Sequence, residues 1–233
     1  MRPSIDQHPA EGMPLARKDA RRIRRGLATT MTALALVLLT ACTRHVAPKQ
    51  FLARRGVGPV EVTRFVVCHG FACTFHTEVS LTAAEWALVA APFESPATSA
   101  ADERRQIGQA VALLEQVVGR KTGTDGDKGG LSYIAAGNPT QLDCMDETTN
   151  TTTYVTLLQK HGLLRWHQAG QPASRGFFLD VRWYHETAVL VERPSGREYA
   201  IDSWVDDNGK PPLIEPLEQW QWTWYGGMQT ATQ

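Results

Sequence analysis

The first 41 residues constrain the fold more than any other part of the sequence. They resemble an export signal, so the folded domain must be formed by the residues that follow them. A basic segment at positions 17–26, RKDARRIRRG, is followed by 15 apolar and small residues at positions 27–41. An apolar run of this length is too short to span a bilayer comfortably, and a basic segment before such a run is typical of an export signal. Removing these 41 residues from a chain of 233 leaves 192, the size of one ordinary domain.

The apolar run ends in Leu39-Thr40-Ala41-Cys42, which resembles the lipobox of bacterial lipoprotein signals. The resemblance implies that the signal peptide is cut before Cys42 and that Cys42 becomes a lipidated N-terminus whose acyl chains anchor the protein to a membrane. The alternative is an ordinary signal peptide that happens to contain a cysteine. We therefore expect a lipid-anchored protein of the bacterial cell envelope that faces the periplasm or the exterior.

The charge of the remaining chain excludes one class of partner. The signal contains seven of the 24 Lys and Arg residues and three of the 24 Asp and Glu residues, so the rest of the chain has a net charge of about −4. Nucleic acid is therefore not an expected partner. Six of the seven tryptophans follow residue 165, which indicates a packed C-terminal half or an aromatic-lined groove.

Hydrophobic periodicity and turn residues predict an α+β domain at 61–233, connected to the membrane by a tether at 42–60. A strand hairpin comes first, and Thr82 and Ser99 are in N-cap positions for the two helices that follow. The predicted strands are 60–68, 73–81, 175–183, 186–193 and 198–205, the last two joined by a Pro-Ser-Gly turn.

Cys68 and Cys73 flank the four-residue turn of the first hairpin, so their side chains could face each other at bridging distance. Export to an oxidising compartment favours a disulfide between them. Two alternatives stay open at this point. The two cysteines could be free buried thiols, or they could form a zinc site together with His69 and His76.

Cys144 has no obvious partner among the other cysteines. Polar neighbours such as Gln141, Asp143 and Asp146 argue against a buried core thiol. The residues after Cys144 can be helical, which places the thiol at a helix N-terminus, where unpaired N–H groups and the helix dipole lower a thiol pKa. We therefore expect a reactive thiol of low pKa, with Asp146 and Glu147 merely complementing the dipole.

A nucleophilic thiol needs a base, and the base needs a residue that orients it. His185 begins one predicted strand, and Asp202 lies in the next strand across the Pro-Ser-Gly turn. Pairing these strands about a midpoint near positions 193–194 sets the two side chains opposite each other. The hairpin thus predicts a cross-strand contact between His185 and Asp202.

The order of Cys144, His185 and Asp202 resembles that of the transglutaminase-like branch of the papain-like superfamily. The closest resemblance is to the bacterial transglutaminase-like cysteine proteinases. Three short motifs carry it, namely DCMD around the cysteine, the strand that begins at His185, and IDS around the aspartate, and the matching order spans about residues 130–205. The resemblance implies that residues 61–233 form a thiol domain in which the nucleophile helix packs on an antiparallel sheet.

The resemblance also implies roles for individual residues. Cys144 would be the nucleophile, His185 the general base and acid, and Asp202 the residue that fixes the imidazole tautomer. Gln141 is a possible donor to an oxyanion. Trp183, two residues before His185, is a candidate wall of the substrate site. No cofactor is implied.

These features predict a thiol enzyme that acts on an amide or peptide bond of a peptide or protein. Hydrolysis is favoured over acyl transfer to an amine because water is always available. The alternative from another class is a non-catalytic envelope lipoprotein that kept the fold as a binding or assembly module. A third alternative is a zinc-binding structural module built on the first hairpin.

Overall fold

Helices and antiparallel strands make up an α+β structure, as predicted. The computed structural model describes residues 47–130, 136–176 and 184–222. The helices are α1 (Pro48–Arg54), α2 (Ala83–Ala90), α3 (Ala100–Thr122), α4 (Cys144–Lys160) and α5 (Leu217–Trp222), and a 3-10 turn covers Ala91–Phe93. The strands are β1 (Phe65–His69), β2 (Phe75–Val79), β3 (His167–Ala169), β4 (Ala173–Arg175), β5 (His185–Glu192), β6 (Glu198–Asp202) and β7 (Leu213–Pro216).

Two antiparallel sheets flank helix α4. β1 and β2 form the predicted hairpin, whereas β3, β5, β6 and β7 lie side by side in that order, with β4 also paired to β5. Helix α4 contacts β1 in the first sheet and β3, β5 and β6 in the second. The first residue of α4 therefore lies where it can meet the first residues of β5.

Packing, rather than helix propensity, stabilises α4. The helix is rich in threonine, which is a weak helix former, and it is buried from Asp146 to Val155. Several of these hydroxyls donate to the carbonyl four residues earlier, as Thr152 does to Thr148 at 2.6 Å. Another, on Thr151, bonds the hydroxyl of Ser203 in the C-terminal part of the fold at 2.8 Å. Most of these threonines thus have hydrogen-bonded hydroxyls inside the core, and Thr148, whose hydroxyl has no partner among the described residues, is an exception.

The prediction of a tether at 42–60 is wrong for its second part. Helix α1 lies in this stretch, and Leu52, Val57 and Val60 are buried in the main hydrophobic core. The Lys160 ammonium at the end of α4 donates to the carbonyl of Val60 at 2.8 Å. Residues 42–60 have little apolar periodicity, so the sequence did not predict that part of this stretch would pack into the core.

The predicted starts of α2 and α3 are confirmed. Thr82 forms a capping box with Glu85, and the Ser99 hydroxyl accepts the N–H of Asp102 at 3.1 Å. Helix α3 continues past Gly119 and ends at Thr122. Glycine is needed at position 119 because a Cβ there would lie 2.9 Å from the Cα of Asp125.

The C-terminal strands agree with the prediction only in part. The strands expected at 186–193 and 198–205 correspond to β5 and a shorter β6. Most of the strand expected at 175–183 lies outside the described residues, and β3, β7 and α5 were not predicted. The signal and Cys42 also lie outside the described residues, and no helix within the described ranges is long and apolar enough to cross a membrane.

Candidate thiol site

Cys144 is the first residue of α4, at the predicted helix N-terminus. Its neighbour Asp143 is the N-cap, and one oxygen of the Asp143 carboxylate accepts the N–H groups of Met145 at 3.0 Å and Asp146 at 2.8 Å. The Asp146 carboxylate reaches back to the N–H of Asp143 at 3.3 Å. This capping box fixes the backbone on both sides of the thiol.

His185 and Asp202 are in contact, as the hairpin predicts. His185 Nε2 lies 2.7 Å from Asp202 Oδ2, and both residues are buried. The register differs by two residues from the expected one: Ala188 pairs with Ile201, so Thr187 rather than His185 is opposite Asp202. A shift of two keeps both side chains on the same face of the sheet, and the contact is therefore diagonal.

Trp220, in α5, is a residue of the site that sequence reasoning missed. Its indole N–H donates to Asp202 Oδ2 at 2.8 Å, the same oxygen that His185 contacts. Trp220 is fully buried, and its ring lies 5.5 Å from the imidazole, while the Trp204 ring lies 4.7 Å away. The tryptophan-rich C-terminal half indicated such packing, but it could not predict which indole would bind Asp202.

The thiol of Cys144 lies beside the start of β5. The backbone N–H of Glu186, the residue after His185, is close enough to the sulfur to lower the pKa of the thiol. The structure therefore brings the peptide of His185 and Glu186 to Cys144. Since His185 Nε2 is bonded to an aspartate, Nδ1 is the ring nitrogen left to act on a proton.

The expectation of a low thiol pKa is wrong for the resting protein. Burial raises the pKa of Cys144 to about 12, because a thiolate loses its hydration there. The N–H of Glu186 acts in the opposite direction, but the carboxylates of Asp143, Glu186 and Asp202 add to the rise. The prediction of a lowered thiol pKa considered only the helix N-terminus. It did not include the burial of the thiol or its acidic neighbours.

Glu186 is part of a charged cluster at the edge of the site. Both oxygens of its carboxylate accept from Arg55, at 2.6 and 2.8 Å, and the hydroxyl of Tyr184 donates to the same group. Burial and the hydrogen bond to Glu186 raise the pKa of Tyr184 well above its usual range, so the hydroxyl stays a donor. Arg55 comes from the end of α1, the segment expected to be a tether.

Gln141, the predicted oxyanion donor, uses its side-chain amide within its own loop. Its amide nitrogen donates to the carbonyls of Thr140 at 3.1 Å and Gly126 at 3.4 Å, within the loop before α4. The backbone N–H of Cys144 itself has no hydrogen-bond partner among the described residues. This N–H is therefore the available donor. Trp183, the other candidate of the site, lies outside the described residues.

The predicted disulfide between Cys68 and Cys73 is confirmed, with Cα atoms 4.5 Å apart. The four-ligand zinc alternative fails at His69, whose two ring nitrogens contact the carbonyl of Pro139 at 2.7 Å and the hydroxyl of Thr77 at 2.9 Å. Donor atoms of Cys68, Cys73 and His76 do lie within 4.8 Å of one another. However, the two sulfurs are bonded to each other and cannot act as thiolates.

Asp146 and Glu147 lie in the first turn of α4, as expected, but they do not merely complement the helix dipole. Both are buried, and burial raises the pKa of Asp146 to about 6 and that of Glu147 well above its usual range. Glu147 and Glu115 line a small cavity of about 10 Å³, room for about one water molecule. Among the described residues, Glu115 Oε1 has no hydrogen-bond partner.

No protein-family model matches the chain, and comparisons with curated proteins and with solved structures find no match either.

Proposed function

We propose that the protein is a thiol enzyme that cleaves an amide or peptide bond through Cys144, His185 and Asp202. The observation that carries this proposal is the buried contact of His185 with Asp202, on a strand whose next peptide N–H lies close to the helix-terminal thiol of Cys144. A nucleophile, a base and an orienting carboxylate in this order are what acyl transfer requires. We also propose that the α+β fold is of the papain-like, transglutaminase-like type.

In the proposed mechanism Cys144 starts as a neutral thiol. As its sulfur attacks the substrate carbonyl carbon, His185 Nδ1 takes the thiol proton, and Asp202 stabilises the imidazolium that forms. Charge therefore develops on the imidazole only during attack, when the Asp202 carboxylate is already in contact with it. The raised thiol pKa fits this order better than a preformed thiolate.

The tetrahedral intermediate places a negative charge on the former carbonyl oxygen. The free N–H of Cys144, at the positive end of α4, is the donor proposed to receive it. His185 then gives its proton to the leaving amine, and a thioester forms on Cys144. Attack by water on this thioester completes hydrolysis, while attack by an amine would complete a transfer reaction.

The thioester can be tested without knowing the natural substrate. We expect p-nitrophenyl acetate to acetylate Cys144 in the wild-type protein, as measured by peptide mass spectrometry. The His185→Ala variant should react at least 100-fold more slowly, because it lacks the base. His161→Ala, at the exposed C-terminus of α4, is the matched control and should react like wild type.

Equal acetylation of wild-type and His185→Ala protein would overturn the proposed enzyme. The alternative, a non-catalytic envelope lipoprotein that acts as a binding or assembly module, would then take its place. If acetylation depends on His185, release of the acetyl group with and without an added amine distinguishes hydrolysis from transfer. Faster release with the amine would favour transfer.

The proposed location is the bacterial cell envelope, with a lipid on Cys42 as the anchor. The lipobox-like end of the apolar run supports it. Mass spectrometry of the mature N-terminus should find a diacylated Cys42 as the first residue. An uncut chain, or a free thiol at Cys42, would contradict the lipid anchor while leaving the thiol site unaffected.

A further inference from the structure

The turn between β1 and β2 has an unusual backbone. Gly70, Phe71, Ala72 and Cys73 follow one another with φ of 79°, 74°, 53° and 55°, all in the left-handed region. Residues with a Cβ disfavour this region, because the Cβ comes too close to the following carbonyl oxygen. Contacts outside the turn must therefore offset the backbone strain of the three non-glycine residues.

Two carboxylates of the nucleophile helix supply such contacts. Asp146 accepts the N–H of Phe71 at 2.7 Å through one oxygen and the N–H of Cys73 at 2.7 Å through the other. Asp143, the N-cap, accepts the N–H of Ala72 at 3.0 Å. All three non-glycine residues of the turn thus bind the two aspartates that flank Cys144.

The disulfide closes this turn at both ends. Cys68 is fully buried in β1, where its N–H and carbonyl both bond the side chain of Asn150 in α4, each at 2.8 Å. Cys73, at the other end, is partly exposed. The disulfide therefore links a strand held firmly on α4 to a strained turn that holds the start of the same helix.

We propose that the 70–73 turn is a redox-sensitive clamp on the Cys144 site, and that Asp146 is the positioning residue through which it acts. The effect on catalysis rests on the proposed function. With the disulfide intact, the turn holds Asp146 and Asp143, and these fix the first turn of α4. With the disulfide reduced, the left-handed residues can relax and withdraw their N–H groups from both carboxylates.

The redox step balances with a dithiol as reductant. One thiolate of the dithiol attacks the sulfur of Cys73, the more exposed of the pair, and the Cys68 sulfur leaves and takes a proton. The second thiol of the reductant then attacks the mixed disulfide and releases Cys73 as a thiol. Two electrons pass to the protein, and the reductant ends as a cyclic disulfide.

Loss of the clamp has a specific consequence for the nucleophile. A buried Asp146 carboxylate that loses two of its three N–H donors is destabilised where it lies. The first turn of α4 then loosens, and Cys144 leaves the N–H of Glu186 and becomes more exposed. Its thiol should come to react like that of a free cysteine, while its cooperation with His185 is lost.

The test compares Cys144 in oxidised protein and in protein treated with dithiothreitol. Mass spectrometry of peptides reports each cysteine separately, so alkylation of Cys68 and Cys73 does not interfere. We expect reduction to increase alkylation of Cys144 by iodoacetamide at pH 8 at least tenfold and to move its pH midpoint toward about 8.5. The part of the acetylation rate of Cys144 that is lost in His185→Ala should fall at least tenfold on reduction. It should return when the disulfide is reoxidised.

Two variants reproduce reduction without a reductant. Cys68→Ala/Cys73→Ala and, separately, Asp146→Asn should show the reactive Cys144 of the reduced protein, and Asp146→Glu should recover part of the wild-type profile. Asp102→Asn, in the first turn of α3, is the matched control and should keep the wild-type profile. Circular dichroism shows whether each sample remains folded.

An unchanged Cys144 profile after full reduction at positions 68 and 73 would overturn the clamp. Reduction that unfolds the whole domain would overturn it too, since the proposed effect is local. Failure of the enzyme proposal has a different signature. In that case acetylation would not depend on His185 in the oxidised protein, while the iodoacetamide profile would still report on the clamp.

Discussion

At the scale of single residues, the site combines a neutral thiol with a firmly oriented imidazole. Burial and three carboxylates raise the pKa of Cys144, so the thiol keeps its proton at neutral pH. His185 is oriented by Asp202, and Asp202 is in turn oriented by Trp220. In the proposed mechanism, the reactivity of Cys144 therefore depends on proton transfer during attack, not on a preformed thiolate.

This arrangement predicts slow alkylation of Cys144 in the oxidised, resting protein. With a thiol pKa of about 12, iodoacetamide at pH 8.5 should react about a thousandfold more slowly than with a free cysteine. Asp143→Asn removes one of the negative charges that raise this pKa and should speed the reaction several-fold. Alkylation quenched at a series of times and followed by mass spectrometry measures both rates. A wild-type rate like that of free cysteine would contradict the argument that burial raises the thiol pKa.

The bond from Trp220 to Asp202 predicts a positioning role. Trp220→Phe removes the N–H but keeps an aromatic ring against the imidazole. A hydrogen bond to a charged group contributes about 1.5–3 kcal/mol, so acetylation of Cys144 should slow roughly 10- to 100-fold. Trp222→Phe, at an exposed position of the same helix, is the control. Equal rates in both variants would show that Asp202 is held by other contacts.

At the scale of elements, α4 depends on its ends and neighbours because its own sequence favours a helix only weakly. Its N-terminus is held by the Asp143 capping box, and its C-terminus by the contact of Lys160 with Val60. Strand β5 carries both His185 and Glu186 to that N-terminus. The site therefore lies between one helix end and one strand end that come from different parts of the chain.

The capping contacts predict a stability difference between two helix starts. Asp143→Ala removes an acceptor for three N–H groups, those of Met145, Asp146 and Ala72, and should lower the free energy of unfolding by about 2 kcal/mol. Thr82→Ala, which breaks the capping box of α2, should lower it by about 1 kcal/mol without affecting Cys144. Urea denaturation measures both. A loss of Cys144 acetylation in Thr82→Ala would contradict a local effect.

At the scale of the whole molecule, the interior beneath the site is unusually acidic. Burial raises the pKa of Glu115 to about 8 and that of Asp127 to about 7, and it raises the pKa of Glu147 well above its usual range. The folded protein therefore binds protons at pH values where the unfolded chain has released them. Glu103 acts in the opposite direction: despite its burial, hydrogen bonds from His167 and from backbone N–H groups lower its pKa.

These groups predict that stability falls as the pH rises from about 5 to 8. For a carboxyl whose folded pKa is raised, the folded state holds the extra proton across this range, so each such group removes up to about 1.4 kcal/mol per pH unit. Glu103 stabilises the fold above its lowered pKa and loses that effect in stronger acid. Maximum stability is thus expected near pH 4–5, as measured by urea denaturation across pH.

A variant isolates the contribution of one buried acid to this pH dependence. Glu115→Gln cannot ionise, so the slope of unfolding free energy between pH 5 and 7 should become shallower by about 1.4 kcal/mol per pH unit. Glu78→Gln, at an exposed position on β2, serves as the control. An equal slope in wild type and Glu115→Gln would place the pH dependence on other groups.

Short-range features of this protein could be read from its sequence. The N-caps at Thr82 and Ser99 and the start of α4 at Cys144 depend on residues within one turn, so local chemistry predicts them. The disulfide and the contact of His185 with Asp202 follow from hairpins, in which the turn determines which residues can meet. The α+β class follows from the same local periodicities.

Other features were decided only by the tertiary structure, since they depend on segments far apart in the chain. The pKa of Cys144 takes its direction from burial, which cannot be read from a helix terminus alone. Trp220 reaches Asp202, and Asp146 reaches the 70–73 turn, only because α4, α5 and the two sheets pack together. Burial and long-range contacts reverse the direction of the Cys144 pKa shift that the local sequence suggests. The reason is that the free energy of a charged group depends on its solvation and on its partners in space.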